Sequence, residues 1–597
     1  MQVHGWMRKI AYIDLSTPKV EHIDPGMDLL TNYLGGRGLG VKLVYDNLNP
    51  ALNPYHPDNV IVFATGPLTA TRVYTSGRYA LISKSPLTNT IFDSNSGGFF
   101  GFFLKSSGFD AVLIKGRAPK PSIIVVDEGD VTVKSADGLW GLPTGETVKE
   151  LLNEYGSRCG VACIGPAGEN LTRFACVVSD GIGFAGRGGL GAVLGSKNVK
   201  AVVARGSRRV DVADENLLND LLKNFIKRIR LNPITGKSLP RFGTPVLVNV
   251  VNEYGMFPSF NFKSTYFEDA ELVSGEALIE GFIVKSRSCY NCPIACKKVT
   301  RVNGRMGEGP EYESLWALSA LCGINDLKTV IEANYLCNDL GLDTITMGST
   351  LACAMELSER RLIPIQLSWG DKEKVKNLIL DTAYRRGLGN DLAEGSKRLA
   401  EKYGYSEASM NVKGLELPAY DPRGAYGQAL AYATSNRGGC HLRAYMISFE
   451  LLGVPVLLDR FSPVGKADLV VYQQNFFAAV DSLVLCKFLT LGLDDESIAQ
   501  ALKAVTGKPY DKRELLKAGE RIWNLERSFN LREGFTSSDD TLPTRLLTPV
   551  DKGPCAGRVI PLKEMLNDYY AVRGWLSGNP LNGEPLKNPG VNGLKPL

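Results

Sequence analysis

Three cysteines stand in a C-x2-C-x3-C run, Cys289-Tyr-Asn-Cys292-Pro-Ile-Ala-Cys296. A packed core has no reason to set them so close, whereas short spacing lets three thiolates converge on one soft metal centre. A cubane iron–sulfur cluster takes four thiolates, so a distant cysteine must complete the set. Cys322, Cys337, Cys353, Cys440, Cys486, Cys555 and the three N-terminal cysteines are all open to that role, and spacing does not choose among them. Zinc is the competing ion, but a structural zinc site usually shows two close pairs of Cys or His. No second pair exists, and no histidine lies between His56 and His441.

Two further stretches carry groups suited to proton transfer. Gly307-Glu-Gly-Pro-Glu-Tyr-Glu313 follows the cysteines, and Leu315, Trp316 and Leu318 then suit a buried helix. Pro310 is expected to start that helix, with Glu311 at its positive end and Glu313 one turn in, as a cap or as an acid/base. Asn436-Arg-Gly-Gly-Cys-His441 holds the fourth and last histidine, the side chain suited to proton transfer near neutral pH. Cys440 beside it sits in no recurrent nucleophile motif. Three glycine-rich loops, Gly35–Gly40, Asn95–Gly101 and Gly186–Gly191, would let backbone amides approach a phosphate or pterin, with Arg37, Arg78 and Arg187 nearby. The last matches G-x-G-x-x-G, but only a short segment separates it from the next strand, which a dinucleotide fold does not allow.

These groups must be positioned by more than one domain, since 597 residues exceed a single core. Up to about residue 207, short β-branched runs recur between glycine turns: Val60–Phe63, Tyr79–Ile82, Ala111–Ile114, Ser122–Val126 and Ala201–Ala204. A first strand is expected near the N-terminus, around Trp6 and Ile10. Helical spacing then takes over in Asn216–Arg230, Leu327–Leu340, Thr344–Arg360 and Lys372–Arg386, with Gly341 as a C-cap. A weaker boundary falls near Gly414–Pro418, and a Pro/Gly-rich tail begins at Gly574. The expectation is an α+β multidomain chain: a β-rich domain over 1–207, then mainly helical domains over 208–414 and 415–597. A net charge of +5 is small for this size and argues against a nucleic-acid binder. No apolar run is long enough for a membrane span, and twelve mostly single cysteines fit a reducing cytoplasm.

An ordered series of motifs resembles the tungsten-containing aldehyde:ferredoxin oxidoreductase family over nearly the whole chain. It runs through Gly35-Gly-Arg-Gly-Leu39, Ala64-Thr-Gly-Pro-Leu-Thr69, Gly77-Arg-Tyr79, Lys84-Ser-Pro-Leu87, Asn95-Ser-Gly-Gly98, Ile164–Asn170, Ala185–Gly189, Glu308–Ser314, Leu340–Thr344, Tyr420–Gly424 and Asn436–His441. The resemblance implies a β-rich base under the cofactor and two helical domains above it. It implies a tungsten bis-pterin (tungstopterin), two pterins bridged by Mg2+, beside a 4Fe-4S cluster held by Cys289, Cys292, Cys296 and Cys486. Asn95 and the Phe184 carbonyl match the magnesium ligands. Arg78, Gly97, Gly186 and Arg187 match pterin-holding loops, and Asn436 and Arg437 a later contact. Two D-x-x-G-L-[CD] pterin motifs fall on Asn338-x-x-Gly-Leu342-Asp343 and Asp481-x-x-Val-Leu485-Cys486. Asn338 there replaces an aspartate, turning a charged acceptor into a neutral amide, and Val484 replaces a glycine just before Cys486. The Glu-x-x-His iron site of some members reads Glu332-Ala-Asn-Tyr335, so no interfacial iron is expected.

The implied activity is oxidation of aldehydes to carboxylic acids, with acid reduction as the reverse. Electrons leave through the cluster to ferredoxin, or to an iron–sulfur small subunit with a flavin/NAD subunit, in a homo- or hetero-oligomer. Glu313 would act as base toward water, and His441 would donate a hydrogen bond to the substrate oxygen. The alternatives are a tungsten subunit for another low-potential reduction, such as that of aromatic acyl-CoA, for which Cys322 is the residue to watch, and a non-catalytic iron–sulfur relay.

Overall fold

Every strand of the two large sheets lies between Ile10 and Arg205 in the computed structural model, which describes residues 3–17, 19–576 and 578–580. The expected tail from Gly574 falls mostly outside the described residues. The first sheet is built from β1 (Ile10–Asp14), β2 (Lys19–Ile23), β3 (Ile61–Ala64), β4 (Tyr79–Lys84), β5 (Ile91–Ser96) and β6 (Ala111–Lys115). Its six strands run in the order β2-β1-β6-β3-β4-β5. The second comprises β7 (Ser122–Asp127), β8 (Asp130–Ser135), β9 (Gly160–Cys163), β10 (Val177–Ser179), β11 (Gly183–Ala185) and β12 (Val199–Arg205), ordered β11-β10-β9-β12-β7-β8. Both are mixed: β1 runs parallel to β6, and β12 parallel to β7, among antiparallel neighbours.

The expected strand runs are all present, and their continuous apolar character has a direct cause. Side chains alternate between faces, and both faces are covered. Ile61, Phe63 and Leu81 of the first sheet share a core with Ile124, Val126 and Val202 of the second. Val62, Ala64, Ala80 and Ile82 point the other way, under Leu39, Val41 and Val44 of the helix Gly36–Asn47 and Ile522 and Phe529 of the helix Lys512–Arg532. The outer face of the second sheet is covered by Val148 and Leu151 of the helix Thr144–Tyr155.

From Glu215 onward helices dominate. Leu327–Leu340 ends at Gly341 with φ 74°, a left-handed C-cap only glycine takes without strain. Thr344–Glu359 and Lys372–Tyr384 follow. Pro310 does not open its helix. Glu311 is the N-cap and the helix is Tyr312–Leu318, which leaves Glu313 in the first turn. Among the described residues, no helix is long and apolar enough to cross a membrane.

The departure at Val484 is absorbed without losing the turn. Helix Lys466–Leu483 still ends left-handed there, with Val484 at φ 60° and ψ 38°. A β-branched residue in that region carries strain of roughly 1–3 kcal/mol. Surrounding glycines let the chain close over it. A Cβ on Gly36 would lie 2.4 Å from Val484 Cγ2 and 2.6 Å from the Asp481 carbonyl oxygen, and one on Gly66 would lie 2.4 Å from the Leu483 carbonyl oxygen. The first glycine-rich loop therefore receives a helix end, not a phosphate. Gly36→Ala should cost roughly 2–4 kcal/mol, from a clash added to a φ of +36°. A thermal or denaturant melt equal to that of the wild type would contradict this account.

Candidate cofactor and catalytic site

The four cysteines matched to the cluster differ from the rest. Cys289, Cys292, Cys296 and Cys486 are partly exposed, while the other eight are buried. They also lie close enough to act on one another. The Cys292 thiol is pushed up to about 12 by burial, with the charges of Cys486 and Cys289 adding to the shift. Cys296 is raised in the same way, by burial first and then by Glu311 and Cys486. Thr75 ties the two segments together: its hydroxyl accepts from the Cys486 N–H at 3.4 Å, and its own N–H donates to the Asn291 carbonyl at 3.0 Å. Among the described residues no three His, Cys, Asp or Glu side chains close on a single ion. A cubane, larger than one zinc ion, sets its four sulfurs further apart. Gly97 passes so near that a Cβ there would lie 2.7 Å from Cys289 Sγ and 3.0 Å from Arg78 Nη1.

Arg78 also meets the matched magnesium ligand. Its Nε donates to Asn95 Oδ1 and its Nη2 to the Asn95 carbonyl at 3.1 Å, while Asn95 Nδ2 has no partner. Close by, a cavity of about 130 Å³ is lined by Phe184, Gly186, Asn338, Leu342 and Asp343. All five were singled out from the sequence, although they come from segments far apart in the chain. Glu308, Glu311 and Ser314 line it too. Asp343 caps the helix Thr344–Glu359, accepting from the Ile345 and Thr346 N–H groups, and lies 3.6 Å from Arg187 Nε. Arg187 donates to the Gly439 carbonyl at 2.9 Å and to that of Glu416 at 2.5 Å.

The second pterin motif is placed differently. Asp481 is buried among cations, 2.8 Å from Lys487 Nζ, 3.2 Å from Arg443 Nη2 and 3.3 Å from Arg37 Nη1. Leu485 packs in a hydrophobic core. Arg37, a candidate phosphate contact by sequence, is fully buried and forked onto Glu526 at 2.6 and 2.7 Å, so it serves the interior. Asn436 donates to Glu526 at 3.2 Å. Arg437 stacks over Phe92 and donates to the Asp93 carbonyl and, at 2.9 Å, to Cys440 Sγ. With Arg437, Arg443 and Arg187 around it, the Cys440 thiol is held down to about 7 despite burial.

Glu313 and His441, 128 positions apart by number, converge with Oε1 and Nε2 3.5 Å from each other. Glu313 Oε2 accepts from the Ala419 N–H at 2.9 Å, while Oε1 has no partner. Burial pushes this carboxyl up to about 8. Burial and then the positive charges of Arg187 and Arg437 hold His441 well below its ordinary value, so it is neutral near pH 7, with Nδ1 unpartnered. Both line a cavity of about 520 Å³ that extends past Tyr420, Tyr445, Phe449 and Phe476 to the exposed Arg228–Asp494 ion pair. Sequence reasoning missed the tyrosines, Arg443 and Lys487, although Tyr312, Arg443 and Lys487 each sit within two residues of a residue it had chosen. Cys322 lines neither cavity and lies in the core, its sulfur 3.4 Å from the carbonyls of Ala317 and Gly348.

The sequence profile of the aldehyde ferredoxin oxidoreductase N-terminal domain matches residues 10–206, and that of domains 2 and 3 matches residues 220–587. The chain belongs to the aldehyde ferredoxin oxidoreductase family. It is 44% identical to the tungsten-containing aldehyde ferredoxin oxidoreductase of Pyrococcus furiosus, covering 98% of this chain and 99% of that one. It is 43% identical to the protein of the same name from Thermococcus kodakarensis, covering 99% of both. The fold is shared with a solved structure. The active-site complex BamBC of benzoyl coenzyme A reductase with 1,5-dienoyl-CoA aligns with a TM-score of 0.84 at 23% identity, over 97% of this chain and 96% of that one. In this family member the Glu313 acid is open to direct observation. In cofactor-free protein the protonated-carboxyl C=O stretch of Glu313 should fade as pH rises through about 8, and Glu313→Gln should lack it. A carboxylate already ionised at pH 6 would overturn the assignment.

Proposed function

We propose that the chain oxidises aldehydes to carboxylic acids with water as oxygen donor, using a tungsten bis-pterin and a 4Fe-4S cluster. The carrying observation is the convergence of part-buried Glu313 and buried His441, each with a buried, unpartnered atom, on the wall of a large apolar cavity. The chain's own residues fit the cofactor. Unpartnered buried atoms crowd the same region: Asn95 Nδ2, Arg187 Nε, Arg437 Nε, Arg443 Nε, Asn436 Oδ1 and the Glu308 carboxyl. Native interiors leave few such atoms unpaired, so this density argues for a polar group that completes them. Phe184, Gly186, Asn338, Leu342 and Asp343 would hold one pterin, and Asn95 with the Phe184 carbonyl the magnesium. Arg78, Gly97 and Arg187 would bear on the pterin phosphates, with Asn436, Arg437 and the Asp481–Leu485 turn on the far side.

When bound, the tungsten centre supplies the two-electron oxidation, and the cluster supplies single-electron exit. The rest falls to side chains. Oxidation of an aldehyde with water releases two electrons and two protons. Ionised Glu313 takes a proton at Oε1 from the attacking water. Neutral His441 donates an N–H to the aldehyde oxygen as negative charge grows there. The tyrosine and phenylalanine walls exclude bulk water and strengthen both contacts. Partial exposure of the four cysteines would let electrons reach a docked carrier, ferredoxin or an iron–sulfur partner subunit.

Glu313→Gln should lower kcat by about 10²–10⁴-fold while tungsten, pterin and iron stay bound. Wild-type kcat should climb with pH through about 8, as the carboxyl loses its proton, and the variant should lose that limb. A metal-replete variant with normal turnover would refute the role. Cys486→Ser should strip most bound iron and the visible thiolate-to-iron absorbance, whereas Cys322→Ser should spare both. Full iron in Cys486→Ser would remove it from the ligand set.

A further inference from the structure

The small cavity contains a carboxylate that the site described so far leaves idle. Glu308 closes the strand Arg305–Glu308, paired with Val299 across the hairpin. Its side chain is 7% exposed and lines the cavity, yet neither carboxylate oxygen has a hydrogen-bond partner. Lys297 Nζ and Arg287 Nη1 each stand 3.8 Å away, close enough to favour charge but too far to satisfy the oxygens. The backbone is pinned more tightly. The Glu308 carbonyl accepts from Asn334 Nδ2 at 2.9 Å and Asn338 Nδ2 at 3.2 Å.

The neighbours explain why a free carboxylate matters here. Asn338 stands where the family motif carries an aspartate, and its amide N–H is spent on the Glu308 carbonyl. Asp343 is occupied by its helix cap and by Arg187. Glu311 Oε2 accepts from the Thr244 hydroxyl at 2.6 Å. Glu308 alone among these acids keeps both oxygens free. The pyrimidine edge of a pterin presents an exocyclic amino group beside a ring N–H, a pair of parallel donors that a carboxylate matches with two charge-assisted bonds.

We infer that Glu308 clamps the aminopyrimidinone edge of a pterin in this cavity, supplying the carboxylate acceptor that Asn338 does not. The inference rests on the reading that the cavity receives a pterin. Burial pushes the Glu308 carboxyl up to about 7, and two donated N–H bonds would favour its ionised form.

The test compares wild type, Glu308→Gln and Glu308→Gln/Asn338→Asp, purified anaerobically. It measures tungsten, iron and pterin per chain, the pterin as its oxidised fluorescent derivative, before and after extended dialysis. Glu308→Gln should lose pterin and tungsten about tenfold or more faster than wild type while iron stays bound. Asn338→Asp, which returns a carboxylate to the same wall, should restore retention. Wild type without pterin would overturn the cavity assignment and the inference with it. Wild type and Glu308→Gln equally loaded and equally retentive would overturn the role of Glu308 alone. If Glu308→Gln sheds iron as well, recovery in the double variant upholds the clamp and lack of recovery overturns it.

Discussion

A buried lattice of charge joins the β-rich part of the chain to its last helices. Arg37 and Asp93 come from the first sheet and its covering helix; Arg443, Asp481, Lys487 and Glu526 come from the C-terminal region. Asp93 lies 2.5 Å from Arg443 and 3.6 Å from Arg37, and Arg37 reaches both Glu526 and Asp481. Each ion alone would cost several kcal/mol to bury, so none is stable without its partners. That mutual dependence fixes geometry. It sets the end of the helix Lys466–Leu483, and so the strained turn at Val484 and the position of Cys486. It also holds Arg443, two residues beyond His441. The His441 loop and Cys486 are thus placed by one network.

The same region leaves polar atoms unspent, and their titration follows from burial. Glu313 favours its neutral form up to about pH 8, and burial, reinforced by the surrounding arginines, keeps His441 neutral as well. Cys440 goes the other way because three guanidinium groups surround its sulfur. An excess of cationic donors over paired carboxylates is what an anionic, phosphate-bearing cofactor would require of the protein.

The chain departs from the family pattern without abandoning the architecture. A glycine became Val484, yet the left-handed turn remains because the glycines opposite yield space. An aspartate became Asn338, yet the cavity keeps an acid, since Glu308 presents its carboxyl to the same space. Neither adjustment is visible in a linear motif.

The sequence by itself determined the element types and the chemistry classes. Burial of both sheet faces wrote continuous apolar runs into the strands, and Gly341 ended its helix where the pattern placed it. The C-x2-C-x3-C spacing pointed to a soft metal, because local geometry sets how closely three thiolates approach. The family resemblance also singled out Phe184, Gly186, Asn338, Leu342 and Asp343, which are among the residues that line the small cavity. What only the tertiary structure decided was partnership across long separations. Arg37 reads as a phosphate contact in its loop, but folding buries it against Glu526. Asp481 reads as part of a pterin motif, and only folding shows three cations set around it. Glu308 reads as one letter of a motif, and only the cavity shows its oxygens unpaired. Ionisation and hydrogen-bond supply depend on which groups meet inside the protein, and spacing along a chain does not record that.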